Sequence, residues 1–134
     1  MARIVVGVDG SATAADALRW AVQEGALRGA TVEAWHAWYV PFLSPGVPPP
    51  DERPLEDAGR AVLDEAVAPY GGTVATRLVR GVAASALLDA ARDADLLVLG
   101  ARGTGGFAGL RVGSVSEYVV AHASCPVVVV PVHT

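Results

Sequence analysis

The chain contains the glycine-rich stretch Gly100-Ala-Arg-Gly103-Thr-Gly-Gly-Phe-Ala-Gly-Leu-Arg-Val-Gly113-Ser114. It directly follows an apolar run, Leu96–Leu99, and precedes an amphipathic segment, Val115–Ala121. A strand that leads through glycines into a helix is typical of an anion site. Glycines let backbone N–H groups approach oxygen atoms closely, and the start of a helix adds partial positive charge. The pattern therefore predicts a phosphate-binding loop whose helix begins near Gly113-Ser114.

Apolar runs alternate with helix-like segments along the rest of the chain. This alternation predicts one α/β domain over residues 1–134, in which parallel strands are joined by right-handed crossovers. Thr13 is the predicted N-cap of the first helix, with Asp16 as its partner, and the proline-rich residues 41–54 are predicted to form an irregular loop. The predicted strands are Arg3–Asp9, Thr31–Tyr39, Thr73–Arg80, Leu96–Gly100 and Pro126–Val132, and the predicted helices are 13–28, Leu55–Ala68, Ala84–Arg92 and Ser114–His122.

Composition and charge exclude several classes of function. The net charge of −4 and the scattered basic residues argue against a nucleic-acid surface, and no apolar stretch approaches the ~20 residues of a membrane span. Every basic residue is Arg, so a P-loop lysine or a Schiff-base lysine is impossible. The single cysteine, Cys125, cannot form an internal disulfide, which favours a cytoplasmic location. No acid–base pair or metal-ligand set can be assembled, so no catalytic residue and no protein metal site are predicted.

The glycine spacing resembles the motif of the nucleotide-binding branch of the universal stress protein family. That motif is Gly, two residues, Gly, nine residues, Gly and then Ser or Thr, which Gly100, Gly103, Gly113 and Ser114 satisfy. The resemblance extends over the chain, from Ile4-Val-Val-Gly7-Val-Asp9-Gly-Ser11 through His36 to Ser124-Cys-Pro126-Val-Val-Val-Val130. It implies an open five-stranded parallel sheet of order 3-2-1-4-5 with helices on both faces. It also implies a homodimer joined through the strand Pro126–Val132.

The same resemblance implies a site for ATP, bound with Mg²⁺. Asp9 is expected to accept hydrogen bonds from the ribose, although it also suits a turn or the capping of the first helix. Ala37, which follows His36, is expected to contact adenine through its backbone. Arg102 and Arg111 each suit a phosphate or a solvated loop, with Arg102 favoured because it is nearer the strand end. Ser114 and Ser116 also suit a helix cap. The implied nucleotide-binding residues are Val8, Asp9, Ala37, Gly100, Arg102, Gly103, Gly113, Ser114, Val115 and Ser116.

The favoured function is therefore an ATP-binding regulatory module of the stress response, with slow hydrolysis at most. One alternative is a dimeric interaction protein of the same fold whose nucleotide site is vestigial. The other is an enzyme related to adenine-nucleotide hydrolases, which would need acid–base or metal-binding residues that the sequence does not offer. The nucleotide that co-purifies with the protein would separate these three hypotheses.

Overall fold

A computed structural model describes residues 2–40, 44–48, 50–101 and 113–132 of the chain. Five parallel strands form one sheet in the order β3-β2-β1-β4-β5, which confirms the predicted topology. The strands are β1 Arg3–Gly7, β2 Thr31–Trp38, β3 Val74–Arg80, β4 Leu96–Gly100 and β5 Val127–Val130. The helices are α1 Ala12–Arg28, α2 Arg53–Val67, α3 Ala83–Ala91 and α4 Ser114–His122, and a 3₁₀ turn, Ala68–Tyr70, follows α2.

Helices cover both faces of the sheet, so the molecule has two apolar cores. Successive side chains of a strand point to opposite faces, and the inner strands β1 and β4 are therefore apolar at every central position. The core on the α1 and α2 side includes Ile4, Val6, Leu18, Leu63 and Val98. The core on the α3 and α4 side includes Val5, Leu87, Leu97, Leu99 and Val119.

Several predicted boundaries are wrong by one to a few residues. β1 ends at Gly7 rather than Asp9, and β5 is confined to Val127–Val130. Helix α2 begins at Arg53, inside the predicted loop, because Pro54 suits the first turn of a helix, where its missing N–H costs nothing. The chain also continues through Pro69 in the 3₁₀ turn rather than ending its helical path there.

The predicted cap of α1 is also wrong, because Ser11 and not Thr13 is the N-cap. The Ser11 hydroxyl accepts a hydrogen bond from the Ala14 amide at 3.2 Å. The Ser11 amide in turn donates to the Asp9 carboxylate at 2.9 Å, and Gly10 between them has φ +86°. The N-cap of α1 thus lies two residues before the position predicted from the sequence.

Candidate functional site

The order of the strands reverses between β1 and β4, which lie side by side at the centre of the sheet. β1 connects through α1 to β2 on one side, whereas β4 leads toward β5 on the other. Val6 pairs with Val98, so the two strands end within one residue of each other, β1 at Gly7 and β4 at Gly100. In open α/β sheets, ligands bind in the crevice at the carboxyl ends of strands at such a reversal. Asp9 and Gly100 both lie there.

Gly100 lies where α1, β4 and α4 converge. A Cβ at this position would come within 2.7 Å of the Thr13 carbonyl carbon and 2.8 Å of its hydroxyl, so only glycine allows this approach. On the other side, the Ser116 hydroxyl donates to the Gly100 carbonyl at 2.7 Å. The first turns of α1 and α4 are therefore both packed against the end of β4. This gives Gly100 a packing role that the phosphate-loop interpretation did not include.

The start of α4 is fastened to the end of β4 by backbone as well as side-chain bonds. The Gly113 amide donates to the Ala101 carbonyl, and the Ala101 amide donates to Val130 at 2.8 Å. The first α-helical bond of α4 runs from Glu117 to the Gly113 carbonyl at 2.9 Å. The amides of residues 114–116 precede that bond, as in the first turn of any α-helix, and contribute the positive end of its dipole.

The predicted serine residues of α4 lie in different environments. Ser114 is exposed at the helix start, and Val115 beside it is 39% exposed. Ser116 is 7% exposed, and its hydroxyl proton is directed at Gly100. Ser114 can therefore reach a ligand with its hydroxyl, whereas Ser116 holds the helix against the strand.

Asp9 is half-buried immediately beyond β1. One carboxylate oxygen accepts from the Ser11 amide at 2.9 Å, which is the turn chemistry considered as the alternative to ribose binding. The two roles are compatible, because an ionised carboxylate has about four lone-pair positions.

The end of β2 projects beyond the end of β1. The last residue pair between these strands is Gly7 with Trp35, so Ala37 lies past the final rung of that ladder. Val8 is buried, its amide donates to Trp35 at 2.9 Å, and its carbonyl accepts from Nδ1 of His36 at 2.6 Å. Both backbone groups of Val8 thus have partners, and only its buried apolar side chain remains to line a site.

A surface pocket of about 610 Å³ opens at the same edge of the sheet, beside β2 and β3. Within it, the Arg80 guanidinium lies 5.9 Å from the Trp38 ring centroid and donates to Glu52 at 2.6 Å. That ion pair joins the end of β3 to the residue before α2. The pocket lining consists of Trp38, Pro50, Asp51, Glu52, Arg53, Glu56 and Arg80.

Two predicted site residues, Arg102 and Gly103, lie outside the described residues, as does Arg111. Over the described ranges, no three His, Cys, Asp or Glu residues form a group that could hold a metal ion. Burial raises the pKa of the Cys125 thiol, which reduces its thiolate fraction and its nucleophilicity. None of the helices in the described part of the chain is long and apolar enough to cross a bilayer.

Sequence reasoning named Thr13 as a helix cap and His36 as part of the family resemblance, but it did not predict the contacts that these two residues make here. The bond from His36 to Val8 requires a residue beyond the strand end, and only the pairing of β1 with β2 reveals which carbonyl is within reach. The closeness of Thr13 to Gly100 depends on how α1 crosses β4. Neither contact leaves a signal in local spacing.

The sheet order, the glycine at the end of β4 and the helix start that follows it match a known family. The model of the universal stress protein family matches residues 1–131. The chain belongs to the universal stress protein family. Its predicted membership is thereby confirmed.

Individual relatives support the same assignment. Universal stress protein Rv2623 of Mycobacterium tuberculosis is 34% identical over 95% of this chain. The chain covers 46% of that protein, and it spans about half the length of the curated relatives that it matches.

Solved structures extend the comparison to the fold. UspA from Lactobacillus plantarum has a TM-score of 0.81 and 28% identity, with 96% of this chain and 97% of that chain covered. A universal stress protein from Archaeoglobus fulgidus in complex with dAMP has a TM-score of 0.73 and 28% identity, with 97% and 98% covered.

Proposed function

We propose that this chain binds ATP with Mg²⁺ and acts as a nucleotide-responsive regulatory module of the stress response in the cytoplasm. The observation that carries the proposal is the packing of the α4 start against Gly100, at the end of the strand that neighbours β1, where the strand order reverses and Asp9 follows. The dAMP complex of the Archaeoglobus fulgidus relative supports an adenine nucleotide as the ligand. The single cysteine, Cys125, is consistent with the cytoplasmic location.

In this proposal the nucleotide lies across the carboxyl ends of β2, β1 and β4. Ala37 binds adenine through its backbone, and the Asp9 carboxylate accepts from the ribose hydroxyls. The first-turn amides of α4 and the Ser114 hydroxyl bind phosphate, assisted by the positive end of the helix dipole. Arg102 and Gly103 belong to the proposed phosphate loop. The remaining residues of the proposed site line the nucleotide without a polar side chain of their own assigned to it: Val8, Gly100, Gly113, Val115 and Ser116.

The protein residues also fit a metal that arrives with the nucleotide. Mg²⁺ is commonly held by substrate phosphates, waters and one or two carboxylates rather than by an all-protein cage. Asp9 is the carboxylate placed to orient the water shell of such an ion. The sequence shows no dedicated catalytic base, so the proposal includes slow hydrolysis at most.

The direct test is calorimetry of the wild-type protein with ATP, AMP and GTP, with and without Mg²⁺. The Gly113→Val variant should weaken ATP binding at least ~10-fold, or about 1.4 kcal/mol, because its side chain occupies the approach to the α4 amides. Gly113 has φ −70° and ψ 159°, an extended conformation that valine readily adopts.

Ala121→Val is the matched control, because it introduces the same side chain at an exposed position further along α4. Its ATP affinity should equal that of the wild type. A folded Gly113→Val protein that binds ATP as tightly as the wild type would refute the placement of phosphate at the α4 start. A wild-type protein that binds no adenine nucleotide would refute the proposed function.

A further inference from the structure

The backbone of β2 alternates between its two neighbouring strands. The Trp35 carbonyl accepts from Val8 on the β1 side at 2.9 Å, and the Trp38 carbonyl accepts from Gly81 on the β3 side at 2.7 Å. In a strand, the N–H and C=O of residues two apart point the same way. Those of Ala37 therefore point to the β1 side, like those of Trp35, at a level where β1 has already ended.

A regular parallel ladder would continue for one further bond at this point. Because the Val8 amide donates to Trp35, the next bond would run from the Ala37 amide to the Val8 carbonyl. Among the backbone bonds of the described residues this one is not formed. The Val8 carbonyl instead accepts a hydrogen bond from Nδ1 of His36 at 2.6 Å. A side chain thus ends the ladder one bond early.

The imidazole lies next to α2 at the position of a glycine. A Cβ on Gly59 of α2 would lie 3.2 Å from Cδ2 of His36 and 2.9 Å from a methyl carbon of Leu78. Gly59 is buried in the middle of α2, where glycine is less favourable for helix stability than alanine. The absence of a side chain at Gly59 leaves room for the ring of His36.

We propose that His36 is a positioning residue for base recognition: it occupies the Val8 carbonyl and so keeps the Ala37 amide and carbonyl available to adenine. The inference rests on the proposed nucleotide function. The N1 and N6 positions of adenine present an acceptor beside a donor, which complements the N–H and C=O of one strand residue. Without the His36 donor, the Ala37 amide would donate to the Val8 carbonyl, and adenine would lose that amide as a hydrogen-bond donor.

His36→Leu tests this role, because leucine fills a similar volume and has no donor. ATP affinity should fall at least ~10-fold, whereas affinity for inorganic tripolyphosphate, which has no base, should stay within about twofold. In the empty protein, amide hydrogen exchange of Ala37 should slow at least ~10-fold, because its N–H gains the Val8 carbonyl. General destabilisation would accelerate that exchange instead. His36→Asn, which retains a short side-chain donor, should preserve most of the ATP affinity.

Three outcomes would overturn the proposal: unchanged ATP affinity in folded His36→Leu, an equal loss for ATP and tripolyphosphate, or Ala37 exchange that does not slow. If His36→Leu does not fold, Gly59→Ala provides a second comparison, because its Cβ at 3.2 Å from Cδ2 requires the imidazole to shift and should weaken the bond to Val8. If the wild type binds no nucleotide, the proposed function fails by itself. Exchange at Ala37 then still decides whether His36 ends the ladder.

Discussion

At the scale of single residues, Asp9 has two tasks that must be separated. Its carboxylate accepts from the Ser11 amide at 2.9 Å and so shapes the turn that starts α1. Its proposed second task is to accept from ribose hydroxyls. Replacement by alanine would remove both, so a loss of binding in Asp9→Ala alone would not identify the cause. Asparagine keeps an acceptor oxygen for Ser11 but loses the charge and half of the accepting capacity.

We therefore expect Asp9→Asn to weaken ATP binding by about 1.5–3 kcal/mol, the usual range for a hydrogen bond to a charged group. The melting temperature of its empty form should stay close to that of the wild type, and Asp9→Ala should lower both quantities. Calorimetry and thermal unfolding measure them. Wild-type affinity for ATP in Asp9→Asn, with reduced apo stability in Asp9→Ala, would leave the turn as the only role of Asp9.

Gly100 shows what sequence can and cannot predict about single residues. The motif spacing places it correctly at the end of β4, and the family resemblance interprets it as a phosphate-loop glycine. The structure adds that a Cβ here would lie 2.7 Å from Thr13. Such a contact arises between segments far apart in sequence, and it depends on the crossing of α1 over β4. Local pattern predicts elements well, but it does not predict which backbone atoms approach each other.

At the scale of elements, β1 and β2 are tied together by more than their ladder. The Arg3 guanidinium donates to both carboxylate oxygens of Glu33, at 2.5 and 3.0 Å, and the Trp35 indole donates to Glu33 at 3.0 Å. Arg3 and Arg77 lie 5.9 and 5.1 Å from the Trp35 ring centroid. The hydrogen bonds from Arg3 are the main reason that the pKa of Glu33 lies below its ordinary value.

Because the pKa of Glu33 is lowered in the folded state, its contribution to the free energy of unfolding depends on pH. The stabilisation by Glu33 is present above the ordinary carboxyl pKa and is lost as the pH falls through the lowered pKa of the folded state. We expect Glu33→Gln to lose about 1–2 kcal/mol of unfolding free energy at pH 7. At a pH below the lowered pKa of Glu33, the wild type is also uncharged at this position, and the two proteins should then have nearly the same free energy of unfolding. Urea unfolding of the two proteins at pH 7 and at a pH below the lowered pKa of Glu33 measures this difference.

Glu24→Gln is the matched control for this experiment. Glu24 pairs with Arg28 on the surface of α1, four residues apart, at 2.8 Å. Surface pairs of this kind contribute about 0.3–0.5 kcal/mol, so this variant should lose far less stability. A loss in Glu33→Gln that is as small as in the control, or that does not depend on pH, would contradict the assigned role of the Arg3–Glu33 pair.

At the scale of the whole molecule, β5 is the element that favours self-association. It lies at one end of the described sheet, with β4 as its neighbour on one side. Val127, Val128 and Val129 are only half-buried, and Tyr118 and Val120 of α4 are each 51% exposed. An apolar edge strand invites pairing with another chain, so we propose a homodimer joined through Pro126–Val132. A two-fold axis would pair β5 antiparallel with its copy.

The sequence predicts the order of the strands through the family resemblance, but it does not predict the length of this edge. The predicted strand runs from Pro126 to Val132, whereas the structure confines β5 to Val127–Val130. Pro126 and Pro131 flank the observed strand and lack the N–H groups that would extend a ladder. The segment available for self-pairing is therefore short. A stable dimer would need side-chain contacts in addition to the backbone bonds of β5.

The dimer is tested by the mass of the wild-type protein in solution and by one charged substitution. Light scattering at micromolar concentration should give twice the mass of one chain. Val129→Lys should shift that mass to the monomer, because the two-fold axis brings the introduced charges of both copies close together in a poorly solvated contact. Leu27→Lys, at an 82% exposed position in the last turn of α1, introduces the same charge away from β5 and should leave the dimer intact. A wild-type protein of monomer mass, or a Val129→Lys protein that remains dimeric, would show that β5 does not join two copies.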